Sequence, residues 1–206
     1  MTGSDSSSTS RVFELIAGNP ALDLVNTLDW RFRDGNPEEL LETYSDLLRF
    51  CQQSTLLTAS QSRRLVRMPS DVHATKLLAA VKELREAAAE VHYASLEGRN
   101  PTAASMKTLE TRFKSAREHQ RLLWSDSHLV WDWPNSTTIP EMPLWQLSLI
   151  AADLMTSDEF HKVRECGNPE CRWLFLDTSK NHTRRWCDMK ICGNRMKARR
   201  FKAQHR

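Results

Sequence analysis

Apolar residues recur along much of this chain three and four positions apart, the period of helices with one buried face. The clearest stripe is Leu77, Val81, Leu84, Ala88 and Val91. It predicts a long helix that opens at Ser70 or Asp71 and ends near Gly98. Asn100-Pro101 interrupts the pattern, and Thr102 opens a second helix with Met106, Leu109, Phe113, Ala116 and Leu123 on one face. The pair reads as an antiparallel helical hairpin. Upstream, Asn19 before Pro20 is a capping side chain followed by a first-turn proline, which predicts a helix from Pro20 to about Asp29. Asp34-Gly35-Asn36-Pro37 predicts a turn in which Asn36 caps a helix from Pro37 to about Gln53, with Leu40, Tyr44, Leu47, Leu48 and Cys51 at helical spacing. Thr58 or Ser60 opens a short helix through Arg67, ended by Pro69. Leu144, Leu147, Ile150, Ala151 and Leu154 mark another core helix, ending before Ser157.

The helical period breaks between Leu122 and Trp133. There Trp124, Leu129, Trp131 and Trp133 flank a polar Ser125-Asp126-Ser127-His128 turn, the pattern of a small β-hairpin. A loop with three prolines runs from Pro134 to Pro143. Trp173-Leu174-Phe175-Leu176 reads as a short strand and Asp177-Thr178-Ser179 as a turn. The fold class is therefore mainly α. A multi-helical domain with a small hairpin (residues 11–160) precedes a small module with its own hairpin and a terminal helix (161–206). Residues 1–10, mostly Ser, Thr, Gly and Asp, are expected to be a disordered lead-in.

Charge sharpens this division. The formal net charge is +3. From Lys162 onward, however, there are 13 Lys and Arg against 4 Asp and Glu, leaving 16 against 22 in the rest. A small basic module suggests a polyanionic partner, most often nucleic acid, while the acidic body argues against wrapping one. At 40% hydrophobic and 27% charged residues, the composition is that of a soluble globular protein. No run approaches the ~18–20 apolar residues of a membrane span, and no signal-peptide pattern opens the chain. A cytoplasmic, reducing location is expected, where cysteine pairs more often mean metal than disulfides.

Four of the five cysteines stand as Cys166-x4-Cys171, then 15 residues, then Cys187-x4-Cys192. Four thiolates meet the closed tetrahedral requirement of one structural Zn²⁺ and leave no open position for catalysis. Two disulfides or four unrelated buried cysteines are the competing readings. Gly167 and Gly193 each follow a ligand, where a sharp backbone turn would aim amides at sulfur. Arg184, Arg185, Lys190 and Arg195 are near enough in sequence to offset the −2 charge of a zinc tetrathiolate. A unit of about 40 residues builds little core by itself, so the metal would supply much of its stability. Cys51, on an apolar helical face, reads as an ordinary buried thiol.

Directly after the fourth cysteine, Asn194 would cap a helix from Arg195 to the end. Arg195, Arg199, Lys202 and Arg206 fall on one narrow stripe, flanked by Lys197 and Arg200, with Met196, Ala198, Phe201 and Ala203 as apolar surface. Such a helix, joined by Arg184 and Arg185, suits phosphate contacts or a major groove. It also reads as a solvated charged helix with no partner.

The segment Cys166-Gly-Asn-Pro-Glu-Cys171, Phe175-Leu-Asp-Thr-Ser179, Arg184-Arg-Trp-Cys187 and Cys192-Gly-Asn-Arg195 resembles the CGNR zinc finger, over about Arg164 to Phe201. Arg172 stands where that family often carries a small residue. Leu22-Asp23-Leu24-Val25-Asn26-Thr27 is similar to the signature of the ABATE domain that usually precedes this finger, with Leu24 in place of the usual aromatic. The resemblance implies a bacterial, largely helical regulator of transcription. Its expected partners are duplex DNA and a small-molecule effector, with a homodimer plausible because one helix makes few base contacts. An RNA-binding or protein-interaction module, or a small-molecule-binding protein with a purely structural zinc clip, are the alternatives.

Asp23 and Asn26, three apart on one helical face, would contact a ligand or hydrogen-bond a neighbouring turn. Trp30, Trp124, Trp131, Trp133 and Trp145 would line a pocket or fill the core. No Gly-rich phosphate loop, nucleophile elbow or His-Glu-x-x-His motif occurs, and the histidines lack ligand spacing, so no catalytic residue and no enzyme activity are expected.

Overall fold

A computed structural model describes residues 12–35, 37–133 and 138–205. The lead-in at 1–10, the Asn36 cap, part of the 134–143 loop and Arg206 lie outside the described residues. The chain is mainly α. Its body is formed by α1 (Pro20–Val25), α2 (Tyr44–Gln53), α3 (Ala59–Leu65), α4 (Asp71–Leu96), α5 (Ala103–Glu118) and α6 (Met142–Met155). Among the described residues, three two-stranded antiparallel ribbons interrupt the helices: β1 (Leu28–Asp29) with β2 (Glu38–Glu39), β3 (Arg121–Ser125) with β4 (His128–Asp132), and β5 (Val163–Glu165) with β6 (Leu174–Leu176). Helix α7 (Asn194–Gln204) closes the chain.

Capping side chains set most helix starts. The Asn19 side chain accepts from the Ala21 amide, Ser70 from His73, and Thr102 from Ser105. Thr58 and Gln61 form a reciprocal capping box at α3, each side chain taking the other's backbone N–H. Long α4 lies against α5 and α1, and α6 packs on α5. Leu77, Val81, Leu84 and Ala88 of α4 are all buried, as their spacing predicts.

Three predicted helices are shorter than their apolar pattern; α5 stops at Glu118, and Leu123 lies in β3. Helix α1 stops at Val25, and α2 starts at Tyr44 rather than Pro37, because Thr43 and Asp46 supply a capping box there. Between them, Leu28 pairs with Glu39 and Asp29 with Glu38. Buried Arg85 of α4 fastens this ribbon with two hydrogen bonds of 2.8 Å to the Glu39 carboxylate and one of 3.2 Å to Thr27 Oγ1. Burial opposes charge on Glu39, but the bonds from Arg85 outweigh it and hold the carboxyl below its usual range. Such tertiary partners lie outside any local pattern, so periodicity alone extended α1 and α2.

The C-terminal module is continuous with the body. Leu174, Phe175 and Leu176 of β6 are buried in the same core as Phe13, Ala17, Leu22 and Leu24. The Asn26 side chain, just past α1, clasps β6 at both polar atoms of one residue: its Nδ2 donates to the Leu174 carbonyl and its Oδ1 accepts from the Leu174 amide, each at 2.9 Å. Further along the strand, the Leu176 amide donates to the Ala17 carbonyl at 2.7 Å. Trp173 Nε1 donates to Asp29 Oδ1 at 2.8 Å, and Tyr93 Oη donates to the Arg172 carbonyl at 2.9 Å. The module thus rests on a borrowed core as well as on its own cysteines.

Asn26→Leu removes both partners of Leu174 inside this core. Unsatisfied buried groups cost about 1–3 kcal/mol each, so a loss of roughly 2–5 kcal/mol is expected. Urea unfolding should show it as one cooperative shift in which body and module signals move together.

Candidate metal centre and basic helix

The two cysteine pairs, 15 residues apart in sequence, converge. Cys166 and Cys171 sit in the loop between β5 and β6, and the Cys166 amide donates to the Trp173 carbonyl at 2.8 Å across its base. Cys187 lies in the segment before α7, and Cys192 in a wide helical turn (Met189–Gly193) that runs directly into α7. All four sulfurs lie within 4.8 Å of one another and all four residues are buried. Cys171 Sγ and Cys187 Sγ are 3.7 Å apart, and none of the cysteines is in a disulfide. A tetrahedron with Zn–S of ~2.3 Å has edges of about 3.8 Å, so this donor set fits one zinc ion with little adjustment. Hydrogen bonds from Cys171 and Cys187 hold the Cys166 thiol far below its usual range, and the same contacts push Cys171 up. A dication resolves that conflict by accepting every sulfur as thiolate.

Amides provide the charge compensation. The backbone N–H groups of Cys187 and Asn168 favour charge on the Cys166 sulfur, and that of Trp173 on the Cys171 sulfur. Fully buried Asn168 is the hub of the first knuckle. Its Nδ2 donates to Cys192 Sγ at 3.6 Å, its Oδ1 accepts from the Glu170 amide, and its carbonyl accepts from Cys171 and Arg172. The second Cys-Gly-Asn behaves differently. Asn194 is exposed, and its side chain bonds back to the Lys190 carbonyl in the turn before α7. The repeated tripeptide therefore marks two conformations, a knuckle and a helical turn. Neither glycine has a positive φ; the need is space. A Cβ on Gly167 would meet Trp186 at 3.2 Å, and one on Gly193 would overlap Met189 Sδ.

The terminal helix begins earlier than Asn194. The Asp188 carboxylate accepts from the Lys190 and Ile191 amides, so Asp188 is the cap and Cys192 lies inside the helical run. Sequence reading missed this because asparagine is an equally good cap and the widened first turn has no sequence period.

The basic residues divide into two sets. Arg184 lies over the Phe175 ring at 4.2 Å and donates to the carbonyls of Ile16, Trp186 and Cys187, which ties the module to the body. Arg195 lies over the Trp30 ring at 4.7 Å, and Arg199 pairs with Glu170 at 2.6 Å. Half of the predicted stripe thus faces protein. Lys197, Arg200 and Lys202 are exposed and form no ion pair among the described residues. Arg185 is exposed too, stacked on Trp186 at 5.0 Å. Arg172, with a φ of 49°, adopts a backbone that favours small residues. Its guanidinium compensates by stacking on Phe32 at 4.1 Å and pairing with Glu165 and Glu97.

Asp23 and Asn26 both serve the fold. Asn26 makes the β6 clasp, and buried Asp23 Oδ1 accepts from the Ala17 amide at 3.0 Å. A cleft of about 370 Å³ opens beside the metal centre, lined in part by Trp30, Asp29, Leu40, Ile191 and Arg195. Of the other tryptophans, Trp145 is buried and stacked with Trp133 and His119, whereas Trp124 and Trp131 face outward.

Two comparisons bear on this arrangement. Residues 162–205 match the family described as "CGNR zinc finger", and residues 18–158 match ABATE, described as "Putative stress-induced transcription regulator". No curated protein matches the chain.

Two outcomes follow. Asn168→Ala should keep one zinc per chain yet release it to a colorimetric chelator about 10–100-fold more readily, since only the sulfur's hydrogen-bond shell is removed. Burial pushes the Asp23 carboxyl up to about 6, against two backbone amides that lower it. The folded chain therefore holds this proton to higher pH than the unfolded chain, and the group's contribution to stability falls as pH rises from about 4 through 6. The stability gap between Asp23→Asn and the parent should shift in the variant's favour between pH 5 and 7.5, measured by urea unfolding with zinc present.

Proposed function

The chain belongs to the family in which an ABATE domain precedes a CGNR zinc finger, and from that premise we propose a zinc-dependent transcriptional regulator whose finger helix contacts duplex DNA. The observation that carries this reading is the placement of α7. The zinc-bound turn at Cys192 roots it, Arg195 and Arg199 fix one flank to protein, and Lys197 and Arg200 are left for phosphates on the other, with exposed Lys202 further along the Arg195 flank. At ~100° per residue, Lys197 and Arg200 lie on the far side of the helix from Arg195. Exposed Arg185 adds a cation from the preceding segment. The outward flank, not the whole stripe read from sequence, is the DNA-facing surface.

The cleft at Trp30 supports an effector-sensing body. It lies against the root of α7 and includes Arg195 in its wall, so an occupant there would bear directly on how the helix is held. This reading has no catalytic step, and no residue is assigned one.

Lys197→Glu with Arg200→Glu should weaken duplex DNA binding at least about tenfold. It should also flatten the slope of log K against log salt by roughly 0.9 for each phosphate that is no longer neutralised. Fluorescence anisotropy over a salt series reads both. Unchanged affinity and slope would remove the DNA assignment, and tighter binding to a structured or single-stranded RNA competitor would replace DNA with RNA.

A further inference from the structure

We propose that strand β4 is a self-complementary edge through which two copies of this chain pair, joining their β3–β4 hairpins into one four-stranded antiparallel sheet. The hairpin is unlike the rest of the molecule. Its strands pack chiefly on each other, and an isolated two-stranded ribbon is marginal in water. Its register sets Leu122 opposite Trp131 and Trp124 opposite Leu129, which places all four on one face. These side chains are 50%, 59%, 71% and 58% exposed, respectively. No other part of the described surface gathers so many large apolar groups on one small element. The hairpin is nonetheless held firmly at its base, where Trp133 stacks on buried Trp145.

The local geometry selects the partner. Asp126 and Ser127 have φ of 47° and 66°, the double left-handed turn that suits a two-residue hairpin. In such a hairpin Ser125 and His128 form a hydrogen-bonded pair, and pairs alternate along the ladder. The amides and carbonyls of Leu129 and Trp131 therefore point to the free edge of β4. If a second β4 runs antiparallel with Val130 on the two-fold axis, Leu129 of each copy meets Trp131 of the other. Their outward groups then form hydrogen-bonded pairs, and Val130 occupies a non-hydrogen-bonded pair. The same register sets His128 against Asp132 at both ends, an acceptor matched to an imidazole twice over. The apolar faces become one surface, with Trp131 and Leu122 of one copy continuing into Leu129 and Trp124 of the other. The corresponding pairing of two β3 edges would set Arg121 against Ser125 and offers no such match. Nor does β4 carry the proline, lysine or bulge with which solitary edges are usually protected. The pairing is independent of what the finger binds. Where the finger takes DNA, it would supply two helices per assembly.

The test uses the full zinc-loaded chain. Light scattering behind size-exclusion chromatography should report a dimer at tens of micromolar, converted to monomer by Trp131→Lys and by Leu129→Lys, with helical circular dichroism and zinc content unchanged. Val130→Cys should cross-link to its own copy under mild oxidation, because non-hydrogen-bonded antiparallel partners stand ~4.5 Å apart at Cα. Leu123→Cys, on the outer strand β3, should not. A monomer at every concentration, a dimer indifferent to both lysine variants, or a dimer whose V130C thiols stay free would each overturn the proposal. The last outcomes would give the aromatic face to a different contact or partner.

Discussion

The side chain of Asn26 bonds the amide and carbonyl of Leu174, 148 residues away, and the placement of the C-terminal module depends on that clasp. An unpaired backbone group in a core is costly, so β6 can lie among Leu22, Leu24 and Phe13 only because its polar atoms are met there. The neighbouring contacts, Leu176 with Ala17 and Trp173 with Asp29, extend the same solution along the strand. A module of some forty residues thereby acquires a core too large for it to build alone.

That continuity changes what the metal has to do. Zinc need not fold an isolated finger; it joins the β5–β6 loop to the start of α7. The buried sulfurs draw on amides from both halves of the site, with Asn168 reaching from the first knuckle to Cys192. Two of the arginines expected to neutralise the site, joined by Arg172, reach into the body. Arg184 bridges to Ile16 and Arg195 to Trp30, and Arg172 reaches Glu97 beyond α4, through stacking and bonding that a lysine would not reproduce. The helix that follows is therefore held at a defined angle to the body. Its root, Arg195 on Trp30, forms part of the wall of a cleft. Metal site, helix and cleft thus form one connected unit.

The body also carries an element that contributes little to its own core. The β3–β4 hairpin buries its base through Trp133 and presents its tryptophans outward. A chain that satisfies Leu174 so completely yet leaves five large apolar side chains of one hairpin exposed has unmet burial there. The two ends of the molecule are therefore complementary in kind: a cationic flank on α7 and an apolar, edge-bearing ribbon on the body.

Most features set by residues close in sequence were legible from the sequence; the Thr43–Asp46 box and the Asp188 cap, equally local, were not, because Asn36 and Asn194 are competing caps nearby. Caps at Asn19, Thr58, Ser70 and Thr102, the α4 stripe, the hairpin turn and the four zinc ligands each depend on spacing within a few residues or on the fixed chemistry of thiolate and metal. Features set by distant partners were not. Which arginines stay free, why α1 stops at Val25, and whether Trp124 faces core or water all turned on what the fold brought alongside. A cap, a stripe or a ligand pair meets its requirement within its own segment. A guanidinium, a strand edge or an indole takes its role from a neighbour that only the folded chain supplies.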